Sequence, residues 1–290
     1  MPCTWLLKQK GLKVTRDEVR RLVLSNVSKQ LLGAAMPTKG NIATEDQGTR
    51  WQADLAEFFK DTDNKSSKYA LVVVNVFDRK LYTRPLPNKQ PMTVRTAMKS
   101  IVDGAPETPK IISHDQGSEF IAKPMKDYLS IMDIQQRNKE KGDPNALGVV
   151  DRAIGLLKKK LAIIVGTEGG DWGTQLERAT KSLNNTPKPG VLHGEAPNSV
   201  EDSDAAQFML LTDNARKIKH NEDLKTQRTK ALNRDGNAFR APVKIDKKWK
   251  KRGFRATYGP IQRASDINHG WVTGLDNKNY DLKLIKPVRT

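Results

Sequence analysis

Three short stretches of this 290-residue chain each set an aspartate against apolar neighbours. In Trp51-Gln52-Ala53-Asp54-Leu55 the carboxylate lies inside a strand-like segment. The stretch from Lys110 to Phe120 is a short apolar strand, Ile111 and Ile112, that runs through His114 into Asp115 and then a turn at Gly117. Gly148-Val149-Val150-Asp151-Arg152 puts a third carboxylate near the start of a helix, with 35 residues between it and the second (151 − 115 − 1 = 35). Magnesium is a hard cation that prefers carboxylate oxygens and water. Two such ions about 4 Å apart activate an attacking oxygen and stabilise a leaving one. Carboxylates adjacent in sequence enclose two ions poorly, so they must converge from separate rigid elements. A strand, a strand end and a helix meet that condition, and ligand sites of open sheets lie beyond strand ends, which suits Asp115. Taken singly, each aspartate reads as a solvated residue or a helix cap. Taken together, they imply metal-assisted phosphoryl transfer. Glu119, four residues after Asp115, is the rival carboxylate, either a group behind the site or a helix N-terminal residue. His114 is read as packing.

The elements that must position these residues follow from patterning. Residues 49–60 give a first strand. Tyr69 to Phe77 is a near-continuous apolar, β-branched run, expected as a buried central strand. Lys60 to Lys68 between them reads as a hairpin loop. Lys80 to Pro87 alternates and carries Pro85, which predicts an edge strand. Thr93 to Val102 is helical, with Val94, Ala97, Met98 and Ile101 on one face. Three antiparallel strands, a helix and the strand to Asp115 make an α/β core of the RNase H-like type. A short helix over Pro124–Met132, a strand over Ile134–Arg137 and a polar loop from Asn138 to Asn145 then lead to the third acid. Leu147, Val150, Ile154, Leu157, Leu161 and Ile164 form one helical stripe between about Ala146 and Val165. Lys158 lies two turns from Asp151 on the same face. With Lys159 and Lys160 it is a candidate contact to a phosphate backbone, the alternative being a solvated helix face. Asp171 to Thr186 is a further helix, packing through Trp172, Leu176, Ala179 and Leu183.

The three acidic stretches resemble the motifs of retroviral-type integrases, and the Trp-Gln-Ala-Asp-Leu form is closest to integrases of Maverick/Polinton self-synthesising transposons. The resemblance covers roughly residues 49–200, with the motifs in order and with the family's final spacing. It implies an RNase H-like catalytic core and a metal-dependent polynucleotidyl transferase that processes a DNA end and joins its 3′-hydroxyl to target DNA. Asp54, Asp115 and Asp151 would be both catalytic and metal-binding. Asp54 with Asp115 would hold one Mg²⁺ or Mn²⁺, and Asp54 with Asp151 the other. DNA and further copies of the chain are the implied partners. Two features depart from the family. The third acid is Asp where Glu is usual, although all-Asp triads serve in related transposases. One turn on stands Gly155, where the family has a DNA-contacting position. His193 to Val200 resembles the segment that closes such cores.

The formal net charge of +18 and a pI of about 9.9 point to a polyanionic partner, most simply nucleic acid. One cysteine, Cys3, leaves no internal disulfide and indicates a reducing compartment. No stretch reaches the roughly 18 apolar residues of a membrane span, and the N-terminus has no signal-peptide core. The expected location is the nucleus, or wherever the host DNA lies. Residues 1–48 read as a small helical head and linker, with Thr15 as N-cap and Glu18 as its capping-box partner. Lys8, Lys10, Lys13, Arg16, Arg20 and Arg21 form a face that either meets DNA or is merely solvated. A His/Cys zinc module is excluded by one Cys and four scattered His. Residues 201–236 are expected as a helical linker and 237–290 as a small basic β-barrel, SH3-like or chromodomain-like. From Ala205 to Thr290 there are 20 Lys and Arg against 8 Asp and Glu, a surplus of 12. Lys247, Lys248, Lys250, Lys251, Arg252 and Arg255, interleaved with Trp249 and Phe254, are the candidate DNA contacts there; the alternative for the aromatics is a barrel core built on Trp249, Trp271 and Tyr280, and Trp271 is assigned to it. Two other readings stay open: a decayed integrase that only binds DNA or chromatin, and an RNase H-type nuclease.

Overall fold

The computed structural model describes residues 15, 18, 40–58, 67–139, 146–234, 236–243, 257–268, 271–282 and 285–288. These fall into two compact units, one spanning Asn41–Lys219 and a second taking in the described residues of Met1–Gly40 and His220–Thr290.

In the first unit β1 (Arg50–Glu57), β2 (Tyr69–Asn75), β3 (Leu81–Leu86), β4 (Ile111–His114) and β5 (Gln135–Asn138) form one sheet in the order β3-β2-β1-β4-β5. The first three strands are antiparallel neighbours, and β4 runs parallel to β1 and to β5. β3 is the edge strand that Pro85 predicts. The central strand is β1 rather than β2. β2 is nonetheless buried on both faces, because helices cover both sides of the sheet, and that explains its unbroken apolar run.

Successive β1 residues point to opposite faces. Trp51 and Ala53 pack with α1 (Pro91–Asp103), α2 (Ser118–Ile121) and α3 (Lys123–Ile131). Ala56 packs on the other side with α4 (Gly148–Glu168) and α5 (Trp172–Asn184). The α4 stripe is buried at Leu147, Val150, Leu157, Leu161 and Ile164, with Ile154 half-buried. Asp171 caps α5 by accepting from Gly173 N at 3.1 Å. After the short α6 (Pro189–Leu192) comes α7 (Asp204–Arg234), whose Leu210 packs against Phe77, Leu192 and Val200.

In the second unit β6 (Ala238–Val243), β7 (Thr257–Asn268), β8 (Trp271–Gly274), β9 (Asn279–Asp281) and β10 (Lys286–Pro287) make an antiparallel sheet in the order β10-β6-β7-β8-β9. β7 runs to Asn268, well past Tyr258, where the patterning of the sequence predicts the end of a short strand that starts at Phe254. Register shifts at Arg240/Pro242 and Ala264/Asp266 accompany its pairing with β6 on one side and β8 on the other. The core there is Leu232, Phe239, Ala241, Val272, Leu282 and Ile285, with the Tyr280 ring edge-on to Phe239. Trp271 is not part of it. It alternates with buried Val272 along β8 and is 40% exposed, correcting its assignment to the barrel core. At the N-terminus, Glu18 N donates to Thr15 Oγ1 and Thr15 N to Glu18 Oε2, so the capping box forms. The rest of the helical head lies outside the described residues.

Candidate active site

Asp54 sits in the central strand, on the face that carries Gln52 and Ala56 toward α4 and α5. The β1–β4 ladder pairs Gln52 with Ser113. Two residues further along each parallel strand stand Asp54 and Asp115, so the register brings the two carboxylates to one level on neighbouring strands. Asp115 Oδ1 accepts from Gly117 N at 2.9 Å. A side chain at Gly117 would place its Cβ 2.9 Å from that oxygen and 2.9 Å from the Glu119 carboxyl carbon. A residue with a side chain there would make the Asp115 or Glu119 carboxylate shift from this position. Glu119 lies in the first turn of α2, as one of its two readings has it.

Asp151 stands exposed in the first turn of α4, where the helix dipole favours a carboxylate. What fixes that turn is Gln52, which is fully buried. Its Nε2 donates to Ala146 O at 3.0 Å, and its Oε1 accepts from Val149 N and Val150 N at 3.2 Å each. The first amides of a helix have no partner within it, and α4 has no side-chain cap of its own. A glutamine two residues before Asp54 thus satisfies two of those amides and pins the helix of the third acid to the strand of the first. Sequence reasoning missed this role; the signal was present in the same motif but was weighed only for its acid.

The electrostatics agree with convergence. Asp54 is pushed up to about 6, by burial first and then by the negative charges of Asp115 and Asp151; the Leu55 N–H, at 2.8 Å, and the Lys139 cation oppose the rise. Lys139, whose N donates to His114 O at 2.7 Å, is a second residue the sequence reading passed over, as part of a polar loop. Residues 140–145 of that loop lie outside the described residues. His114 is buried and stacked on Phe120 with ring centroids 4.9 Å apart. Its Nδ1 donates to Asp115 O at 2.5 Å, and burial lowers its pKa, so the ring is a neutral packing group.

Divalent ions suit this donor set in one respect and not another. Asp54 is buried beside the charges of Asp115 and Asp151 with a single cation opposing them, an arrangement that added positive charge relieves. Among the described residues, however, no three His, Cys, Asp or Glu side chains stand close enough to hold one ion together. A two-ion site requires only a pair of carboxylates per ion, because water and phosphate oxygens complete each shell. Asp54/Asp115 and Asp54/Asp151 are the pairs that such a site would use.

Of the candidate nucleic-acid contacts, Lys158 and Lys159 are exposed on α4. Lys158 Nζ lies 5.4 Å from the centre of the Phe58 ring, which stacks on Trp172 at 4.0 Å, so its stem also serves packing. Lys247, Lys248, Lys250, Lys251, Arg252 and Arg255 lie outside the described residues. No described helix is long and apolar enough to cross a membrane.

Residues 45–144 match the family model for the integrase core domain, a stretch that includes Asp54 and Asp115 and ends before Asp151. A search of curated protein sequences found no match. Among solved structures, a chain of the simian T-cell lymphotropic virus intasome in complex with PP2A regulatory subunit B56 gamma is similar at a TM-score of 0.66 and 14% identity, covering 95% of this chain and 92% of that one. The catalytic core domain of BIV integrase is 22% identical over 53% of this chain and 93% of its own, at a TM-score of 0.44. The HTLV-2 integrase catalytic core domain in complex with magnesium is 16% identical over 53% of this chain and 97% of its own, also at 0.44. The mixed five-stranded sheet of the first unit, with helices on both faces and a matching core-domain stretch, has the integrase catalytic core fold, RNase H-like in type.

Proposed function

We propose that this protein is a DNA integrase or transposase-like polynucleotidyl transferase that joins a DNA 3′ end to target DNA. The observation that supports the reading is that Asp115, just past a neighbouring strand, and Asp151, at a helix start, both act electrostatically on Asp54 in the central strand. When bound, a pair of Mg²⁺ or Mn²⁺ ions supplies activation of the attacking oxygen and stabilisation of the leaving one. Asp54 is shared between the two ion positions, with Asp115 and Asp151 as its partners. Gln52 holds the Asp151 turn in place, and Lys139 offsets part of the negative charge before the ions enter. Lys158 and Lys159 of α4 and the basic residues of 247–255 bind the DNA backbone. The Trp51–Leu55 motif supports kinship with Maverick/Polinton integrases, and the C-terminal sheet is read as an SH3-like or chromodomain-like barrel. Nuclear location and self-association follow from the same reading; the similar simian virus chain is itself part of an intasome.

A decayed, binding-only protein is the second reading. It is favoured by Asp in place of Glu at position 151 and by the lack, among the described residues, of a three-ligand group. A strand-nicking and joining assay on duplex DNA with Mg²⁺ or Mn²⁺ separates the two. The working triad requires metal-dependent products that fall at least about a hundredfold in Asp115→Asn. DNA binding without such products, with cognate ends included among the substrates, leaves the binding-only reading. Cleavage confined to RNA–DNA hybrid would make the protein a nuclease.

A further inference from the structure

A second group of charges, outside the acidic triad, has no role in the function proposed above. The turn between β2 and β3 holds Asp78, Arg79 and Lys80, with Arg79 at a φ of 63°. Asp78 is fully buried and both of its oxygens are engaged. Oδ1 accepts from Lys80 N at 2.7 Å, and Oδ2 accepts from Gln47 Nε2 at 3.2 Å and Asn75 Nδ2 at 3.3 Å. It makes no hydrogen bond to the neighbouring Arg79 guanidinium, whose Nη1 is buried without a partner.

Three more cations surround that guanidinium. Lys188 Nζ donates to Arg79 O at 3.4 Å. Arg152, in the first turn of α4, and Lys217, in α7, lie within electrostatic reach. Burial and the charges of Arg79 and Arg152 push Lys188 down to about 8, and burial with Arg152 pushes Arg79 down to about 10. Three carboxylates lie nearby, of which Glu201 pairs with Lys80 Nζ at 3.3 Å and accepts from Gln47 Nε2 at 2.9 Å. Burial, helped by the charge of Glu201, raises Asp78 to about 7. Asp213 acts on Lys217 but also pairs with Arg216 at 3.4 Å and with His193 Nε2 at 3.1 Å.

Four cations stand against one buried, fully engaged carboxylate and two others that already pair elsewhere, and with a buried guanidinium nitrogen left open they form a donor set that lacks its acceptor. Two guanidinium forks and two ammonium groups match the oxygens of a phosphate group. We propose that Arg79, Arg152, Lys188 and Lys217 bind a phosphate group, and that it is a backbone phosphodiester of DNA. The choice of DNA rests on the function proposed above, because Arg152 directly follows Asp151 and ties this cluster to the helix of the third acid. Free phosphate or polyphosphate is the other source of the same chemistry.

Two measurements without divalent metal test the site. Thermal unfolding is followed with increasing pyrophosphate at constant ionic strength, and fluorescence anisotropy follows binding to a duplex DNA across a salt series. Lys188→Gln/Lys217→Gln is compared with wild type, with Arg152→Gln as a surface variant that spares the fold. Lys126→Gln/Lys181→Gln removes equal charge from exposed helix positions as a control. The expected result is a pyrophosphate-dependent rise in melting temperature that the site variants lose. Their DNA binding should weaken about three- to tenfold, with a salt slope shallower by roughly one, while the control keeps the wild-type slope. A pyrophosphate response with unchanged DNA slopes keeps the site and makes free phosphate its ligand. No pyrophosphate response in wild type, together with slopes equal to those of the control, overturns the site. Neither readout needs catalysis, so an inactive triad would leave both interpretable.

Discussion

Asp54 carries the largest electrostatic burden in the candidate active site, and the consequence is measurable without any substrate. Its folded pKa of about 6 lies above the ordinary 3.8. The fold therefore disfavours the ionised form, and stability is lost as pH rises from the unfolded value through the folded one, with the full penalty present above pH 6. Asp54→Asn keeps an oxygen for the Leu55 N–H and removes the charge. In EDTA near pH 8 it should stabilise the protein by about 1–3 kcal/mol, and the gain should shrink toward zero as pH falls to about 4. Denaturant unfolding at a series of pH values checks this. A variant no more stable than wild type at pH 8 would mean that the fold does not penalise the ionised Asp54 carboxylate. Added Mg²⁺ should stabilise wild type and leave Asp54→Asn nearly unaffected. The triad itself was legible in sequence because each acid sits in a distinctive apolar setting. Lys139 and Gln52 were not, because their importance comes from what the register and the α4 start bring beside them.

At the scale of elements, the β1–α4 connection is made by one side chain. Gln52→Ala would leave the amides of Val149 and Val150 and the carbonyl of Ala146 without their partner inside the protein. The expected cost is about 2–4 kcal/mol by denaturant unfolding. Hydrogen exchange at Val149 and Val150 should accelerate more than exchange in β2, which remains buried between its neighbours. Uniform acceleration across the sheet would mean that Gln52 supports the fold as a whole rather than the α4 start. Most elements were legible from period and punctuation: Pro85 marked an edge strand, and the 3-4 spacing marked α4. Two features were not. The centrality of β1 depends on long-range pairing with β4, and β7 runs on past residue 258 because tertiary pairing overrides the turn residues within it. Trp271 failed for a related reason, since alternation along β8 decides which face it takes and aromatic character does not.

For the whole molecule, the surplus of 12 positive charges after residue 204 sets the expectation. Replacing Lys247, Lys248, Lys250, Lys251, Arg252 and Arg255 together by Gln should weaken binding to any duplex, regardless of sequence. The slope of log K against log salt should become shallower by roughly two to five. Equal losses on unrelated sequences would identify backbone contact, and an unchanged slope would remove these residues from the interface. Composition made this charge asymmetry plain, whereas the grouping of Arg79, Arg152, Lys188 and Lys217 from four distant stretches could not be read before folding.

The amide of Gln52 also bears on how freely the chain between the second and third acids can vary. Because Asp151 is registered to Asp54 through a strand residue, its position does not depend on the length of the segment that precedes it. The spacing of the first and third acids is thus held by a side chain that ties strand to helix.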